Sequence, residues 1–227
     1  MFKNDLMQKT KLVYESIASD FGASRANPWY EFEIYKQDLV SGDALLDLGC
    51  GNARLAKFLP DFVEYHGMDA SQNLLNLASD LLNKSQKKNW KLTLMCMLEL
   101  LLPKAYFQRV VLVASYHHIL SRRKRIEILN KLYATLQKDG ELYISVWNLF
   151  QRRYVWQLIK SFLALRPFNL AIPFKGKVRY YHAFTPRSLK RELLKSKFEN
   201  VEITYVTHRK QVRNFCNCNN MVIKLKK

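Results

Sequence analysis

Hydrophobic and polar positions change period repeatedly along this chain, and the changes predict alternating strands and helices. Short apolar runs at Ala44–Leu48, Phe62–Met68, Trp90–Cys96, Phe107–Val113 and Glu141–Trp147 have strand length. Phe107–Val113 is nearly continuous in β-branched and aliphatic residues, the mark of a central parallel strand buried on both faces. Between these runs the spacing turns helical. Ser71 caps a helix to Leu82 that carries Leu74, Leu75, Ala78 and Leu82 on one stripe. Ser121 caps another to Leu136, and Asn52–Leu59 forms a shorter one closed by Pro60. Strands alternating with helices predict an α/β fold built on an open, mostly parallel sheet.

The flanks follow other patterns. Phe2–Phe21 has helical spacing, and after a break at Gly22–Asn27 Pro28 opens a second helix that turns Trp29, Phe32 and Leu39 inward. Asn148–Lys177 is a long, aromatic and basic stretch. Thr185-Pro186 starts a helix to Leu194, and Val201–Val206 with Met221–Leu225 predicts a closing antiparallel hairpin. A single domain over residues 1–227 accommodates all of this, with N-terminal helices at 1–40 and a substrate-side insertion at 148–178.

The candidate chemistry lies where strands one and two end. Asp47-Leu48-Gly49-Cys50-Gly51-Asn52-Ala53-Arg54 is a strand running into a glycine turn. A dinucleotide fingerprint requires glycine at the place held by Arg54, and no G-x-x-x-x-G-K-[ST] loop is present, so phosphate-cradling readings fail. Asp47 before the turn would repel a phosphate and suit an ammonium. Asp69, ending strand two, is placed to accept from both hydroxyls of a ribose. An ammonium, a ribose and no phosphate describe S-adenosylmethionine.

Asp47-Leu48-Gly49-Cys50-Gly51-Asn52 followed by Gly67-Met68-Asp69-Ala70-Ser71 resembles motifs I and II of the class I S-adenosylmethionine-dependent methyltransferases. The resemblance implies a Rossmann-like fold with a seven-stranded, mostly parallel sheet and a C-terminal antiparallel hairpin. It implies cofactor binding by Asp47, Gly49, Gly51, Asp69, Ala70, Met97, Leu98 and Ala114, and no metal. Three further segments resemble the tRNA wobble-uridine carboxymethyl methyltransferases: Ser16–Trp29, Ala114–Ser121 leading to Arg125 and Val146-Trp147, and Arg179-Tyr180-Tyr181-His182-Ala183-Phe184. That family esterifies the carboxylate of 5-carboxymethyluridine and in eukaryotes works with a small zinc-binding activator subunit. The resemblance places Arg25, His118, Arg179 and His182 around the transferred methyl group. A carboxylate is already ionised at neutral pH, so the site must hold it in line rather than deprotonate it, and arginine forks suit that task. The sequence departs from the family at Ala53, where a third glycine is usual. It departs again at strand three, which offers only the displaced Glu99 for the adenine, and at Phe107-Gln108.

Charge alters the picture by its distribution. Residues 1–113 hold 13 lysines and arginines against 13 acids, whereas residues 114–227 hold 24 against 6 and supply the entire net charge of +18. A half-chain that basic predicts a polyanionic partner, by the resemblance tRNA, and Arg122-Arg123-Lys124-Arg125, extended by Arg152-Arg153, Lys175, Lys177 and Arg187–Lys197, are candidate phosphate contacts. The cations at 122–125 open a helix, where they oppose its dipole. The four cysteines lack framework spacing, and with no signal peptide or transmembrane run the expectation is a cytoplasmic protein with no stable membrane insertion. Val155, Trp156, Ile159, Phe162 and Leu163 in the insertion suit a lid over the substrate or, second, an amphipathic helix on an anionic membrane. Two other functions stay open: a small-molecule methyltransferase acting on a lipid or quinone precursor, and a non-catalytic RNA-binding protein on a decayed fold.

Overall fold

The computed structural model describes residues 2–18 and 28–227, with the side chains of residues 2–5 and 7 left aside. Helices α1 (Phe2–Ser16) and α2 (Glu31–Lys36) precede the sheet. Then β1 (Ala44–Leu48), β2 (Glu64–Asp69), α3 (Gln72–Lys84), β3 (Trp90–Leu94), β4 (Phe107–Val113), α4 (Arg122–Thr135) and β5 (Leu136–Trp147) alternate as expected. The chain continues through α5 (Val155–Leu163), β6 (Asn169–Phe174), β7 (Lys177–His182), α6 (Pro186–Leu193), β8 (Val201–Val206), β9 (Gln211–Val212) and β10 (Asn220–Lys226). The main sheet has the order β3-β2-β1-β4-β5-β10-β8-β9. Pairs among β1 to β5 are parallel, while β10 runs antiparallel to both β5 and β8. One strand more than expected is present in this sheet, the two-residue edge β9.

Period-two alternation sends the sheet's apolar side chains to two separate cores. On one face Leu46, Val110 and Leu112 pack against Leu129 and Leu132 of α4 and Leu189 and Leu193 of α6. On the other, Leu45, Tyr65 and Val111 meet Ala78 and Leu82 of α3 and Phe32 and Tyr35 of α2. β1 is buried at all five positions, as a strand covered on both sides must be.

Several boundaries move. The helix expected after the glycine turn is a single 3-10 stretch, Arg54–Phe58. α2 is six residues long and ends before Asp38, whose φ of 60° is left-handed and incompatible with continuing the helix. Ser71 caps α3 by accepting from the Leu74 amide at 3.2 Å, and Thr185 with Ser188 forms a capping box on α6. Ser121 occupies the N-cap of α4 without a capping bond. The insertion holds more than a helix. α5 packs on β6, which pairs with β7 around Lys175-Gly176, both left-handed, to make a two-stranded hairpin beside the main sheet.

Candidate active site

The C-terminal ends of β1, β2 and β4 open into a pocket of about 150 Å³, roughly ten times the space one water needs. This is the switch point of the sheet, where β1 lies between β2 and β4. The floor is the glycine turn. The Gly49 and Cys50 amides both donate to the Met68 carbonyl, at 2.7 and 3.1 Å, and this locks the end of β1 to the end of β2. Gly49 has a φ of 78°, and a β-carbon there would stand 2.6 Å from the Ser115 β-carbon. Ala53, where the resembling family has glycine, still takes the left-handed conformation at φ 54°. An L-residue pays about 1–2 kcal/mol for that geometry.

Two carboxylates face this floor. Asp47 is 1% exposed, and its Oδ2 accepts from the Tyr65 hydroxyl at 2.9 Å while Oδ1 has no protein partner among the described residues. Burial pushes its carboxyl up to about 7, the Tyr65 bond opposes that shift, and Asp69 and Arg54 add smaller opposing Coulomb effects. Asp69 accepts from the Gly51 amide at 2.8 Å and the Ser71 amide at 2.9 Å, and burial raises it despite those bonds. Ala70, Met97, Leu98 and Ala114 line the same pocket, and Glu99 is not among its lining residues. Ala114 is itself left-handed, at φ 50°, and its amide donates to the Ser145 hydroxyl at 3.0 Å. An unpaired buried carboxylate oxygen beside a second acid rejects phosphate and calls for a cationic donor. The donor set fits S-adenosylmethionine.

At the mouth, α1 crosses β7. Tyr14, absent from the sequence expectations, lines the pocket and joins two residues that were present in them. Its hydroxyl is 3.0 Å from Nε2 of His118 and accepts from Nη1 of Arg179 at 3.3 Å. Nδ1 of His118 is 2.9 Å from the Tyr180 carbonyl, so that nitrogen carries the proton and Nε2 accepts from Tyr14. His118 lines the pocket, whereas His117 is wholly buried behind it against Trp147 and Tyr181. Of the adjacent tyrosines, Tyr181 faces inward and stacks on Trp147 at 5.2 Å.

Arg179 is 4% exposed. Its guanidinium lies 4.2 Å from the Phe174 ring and within 6 Å of Tyr14, Trp147 and Tyr181. Among the described residues no carboxylate pairs with it, and its Nε has no hydrogen-bond partner. It does not line the pocket itself but borders it through Tyr14. His182 lies outside the pocket, with Nδ1 2.8 Å from the Asn169 side chain and its ring against Phe184. Arg25 falls outside the described residues.

The basic run at the start of α4 also makes ion pairs within the protein. Arg125 is 1% exposed and clamps Glu192 of α6 with two bonds of 2.6 and 2.7 Å, while Nη1 donates to the Ile119 carbonyl at 2.6 Å. Arg122 also reaches Glu192, and Arg123 and Lys124 both pair with Glu127. Arg125 is therefore a buried, fold-holding contact, whereas Arg122 and Arg123 are exposed cations in surface ion pairs of little energetic weight. Arg187, Lys190, Arg191, Lys195 and Lys197, on and after α6, are exposed cations without an acid partner among the described residues.

Fold and pocket together are Rossmann-like, and residues 45–140 match the family model described as a methyltransferase domain. The fold is that of the S-adenosylmethionine-dependent methyltransferases. One from Methanosarcina mazei superposes with a TM-score of 0.68 at 17% identity over 88% of this chain and 97% of its own. One from Clostridium acetobutylicum gives 0.68 at 14% identity over 94% and 97%. In sequence the chain is similar to the tRNA (carboxymethyluridine(34)-5-O)-methyltransferase of Schizosaccharomyces pombe, at 28% identity over 62% of this chain and 58% of that protein. The corresponding enzyme of Mus musculus is 27% identical over 61% of this chain and 20% of its own length. The chain thus spans between a fifth and three-fifths of these curated relatives.

Proposed function

We propose that this chain is an S-adenosylmethionine-dependent methyltransferase that esterifies the carboxylate of a 5-carboxymethyl-type wobble uridine in tRNA, in the cytoplasm. The observation that carries the acceptor class is Arg179. A guanidinium withdrawn from water without a counter-charge costs several kcal/mol, and the same burial favours an anion that completes it. A planar carboxylate is the natural complement of that fork. The curated relatives' names supply tRNA and the uridine position.

In this reading Asp47 would hold the ammonium of the cofactor, Asp69 its ribose hydroxyls, and Met97, Leu98 and Ala114 its adenine. The cofactor supplies a methyl group on a sulfonium. Arg179 holds one oxygen of the acceptor and leaves the other free to attack, and Tyr14 sets the guanidinium. His118 has both ring nitrogens engaged, which suits a reaction that needs no general base and makes it a wall that orients Tyr14. Aromatic packing around Arg179 excludes water, which would strengthen its hold on an acceptor carboxylate.

Calorimetry with S-adenosylmethionine and its demethylated product tests the first half of the proposal. Asp69→Ala should lose cofactor binding, while Arg179→Ala should keep it and lose turnover; equal loss of binding in both would refute this division of roles. The second half is decided by nucleoside mass spectrometry of tRNA from cells with and without the gene. Unchanged levels of every uridine methyl ester would end the tRNA reading, and unaltered cofactor binding would then leave a small-molecule acceptor.

A further inference from the structure

The insertion after β5 presents its apolar side to water. In α5, Val155, Trp156, Ile159, Phe162 and Leu163 share one face, and their exposures reach 72% at Trp156 and 78% at Leu163. The opposite side carries Leu158, packed on the small cluster beneath, and buried Ser161. Every residue from Phe162 to Phe168 is exposed, and Leu165 reaches 90%. Leu165 and Phe168 hold φ values of 53° and 65°, a left-handed backbone that keeps this tip open at a strain of about 1–3 kcal/mol each. Contiguous exposed apolar surface with local strain marks a contact site.

The charge around the patch selects the partner. From Leu142 to Arg191 there is no acidic residue, against ten lysines and arginines. Lys160 lies within α5, Arg166 within the tip, Arg152 and Arg153 just before the helix, and Lys175 and Lys177 at the adjoining hairpin turn. RNA would complement the charge and could stack on Trp156, but it gains little from Ile159, Leu163 and Leu165. An acyl layer beneath anionic headgroups satisfies the aliphatic tip, the tryptophan and the lysines together. No described helix is long and apolar enough to cross a membrane, so the contact is one of lying on a surface.

We infer that α5 and the Phe162–Phe168 tip dock this protein on an anionic lipid surface. This goes beyond the acceptor assignment and does not depend on it. The test is co-sedimentation with phosphatidylcholine vesicles, with and without phosphatidylglycerol, alongside a tRNA-binding titration. The wild-type chain should bind the mixed vesicles, and Leu163→Asp with Leu165→Asp should weaken that binding roughly tenfold per leucine while leaving tRNA affinity unchanged. Vesicles carrying brominated acyl chains should quench wild-type tryptophan emission, and Trp156→Phe should abolish most of that quenching; this readout stands even if the double variant fails to fold. Three outcomes overturn the inference: no vesicle binding; binding that salt abolishes fully, without bromolipid quenching; or a leucine-variant loss confined to tRNA affinity or to self-association.

Discussion

Asp47→Asn should make the ligand-free protein more stable and the cofactor complex weaker, with opposite pH signatures. The folded carboxyl titrates at about 7 against an ordinary value of 3.8, because burial disfavours the anion. The folded state therefore holds a proton that the unfolded chain releases across that interval. Stability from this group is fully present below about pH 4 and is lost as pH rises through about 7. The gap corresponds to about 4 kcal/mol as an upper figure at 1.36 kcal/mol per unit, so a gain of about 2–4 kcal/mol is expected for the asparagine variant above neutrality. Asparagine keeps an acceptor for the Tyr65 hydroxyl and carries no charge to desolvate. Urea melts of both proteins at about pH 5 and about pH 8 measure this, and the variant's advantage should be two- to threefold larger, by roughly 2–3 kcal/mol, at the higher pH. Binding runs the other way. An ammonium ligand pairs only with the ionised form, so wild-type affinity should rise about tenfold per unit below pH 7 and then level, whereas the variant should bind weakly without that slope. A variant destabilised at the higher pH, or one binding the cofactor as tightly as wild type, would refute a buried carboxylate awaiting a cation.

Other substitutions separate architecture from chemistry. Arg125→Ala leaves Glu192 buried without its clamp and should cost about 3–5 kcal/mol in a denaturant melt, while any folded fraction keeps the tRNA affinity of wild type. Neutralising Arg187, Lys190 and Arg191 should leave the melt unchanged; if this face meets phosphates, the slope of log affinity for tRNA against log salt should flatten by about one per contact removed. Gly49→Ala drives a β-carbon into Ser115 and should cost about 2 kcal/mol or more, with reduced cofactor affinity by calorimetry.

β1 and β4 were legible because two-sided burial keeps them mainly aliphatic, and β4 has the very ends its apolar run implies. The glycine turn was legible because its chemistry is local. Arg125 was not: within a run of four cations it looks solvated, and only Glu192, 67 residues later, reveals its burial. Tyr14 was hidden for a related reason. Periodicity in α1 points to its aliphatic stripe, and nothing nearby discloses that a hydroxyl will meet His118 and Arg179. The β6–β7 hairpin left a usable signal in Lys175-Gly176, a two-residue turn with both positions left-handed, but the aromatic helical spacing before it dominated the reading.

The crossing of α1 over β7 sets an order of assembly during synthesis. The Arg179–Tyr14 contact closes a span of 165 residues, and Tyr180 donates its amide to Thr10 across 170. A ribosome delivers α1 first and β7 late, so the sheet from β1 to β5 can form while the first helix rests on α3, where the Asn73 side chain donates to the Glu15 carbonyl, and still lacks β7. The pocket floor is thus finished well before its mouth. A nascent chain stalled after β5 should already possess the glycine turn and both acids, yet acquire the Tyr14–Arg179 junction only when residues 177–182 have emerged.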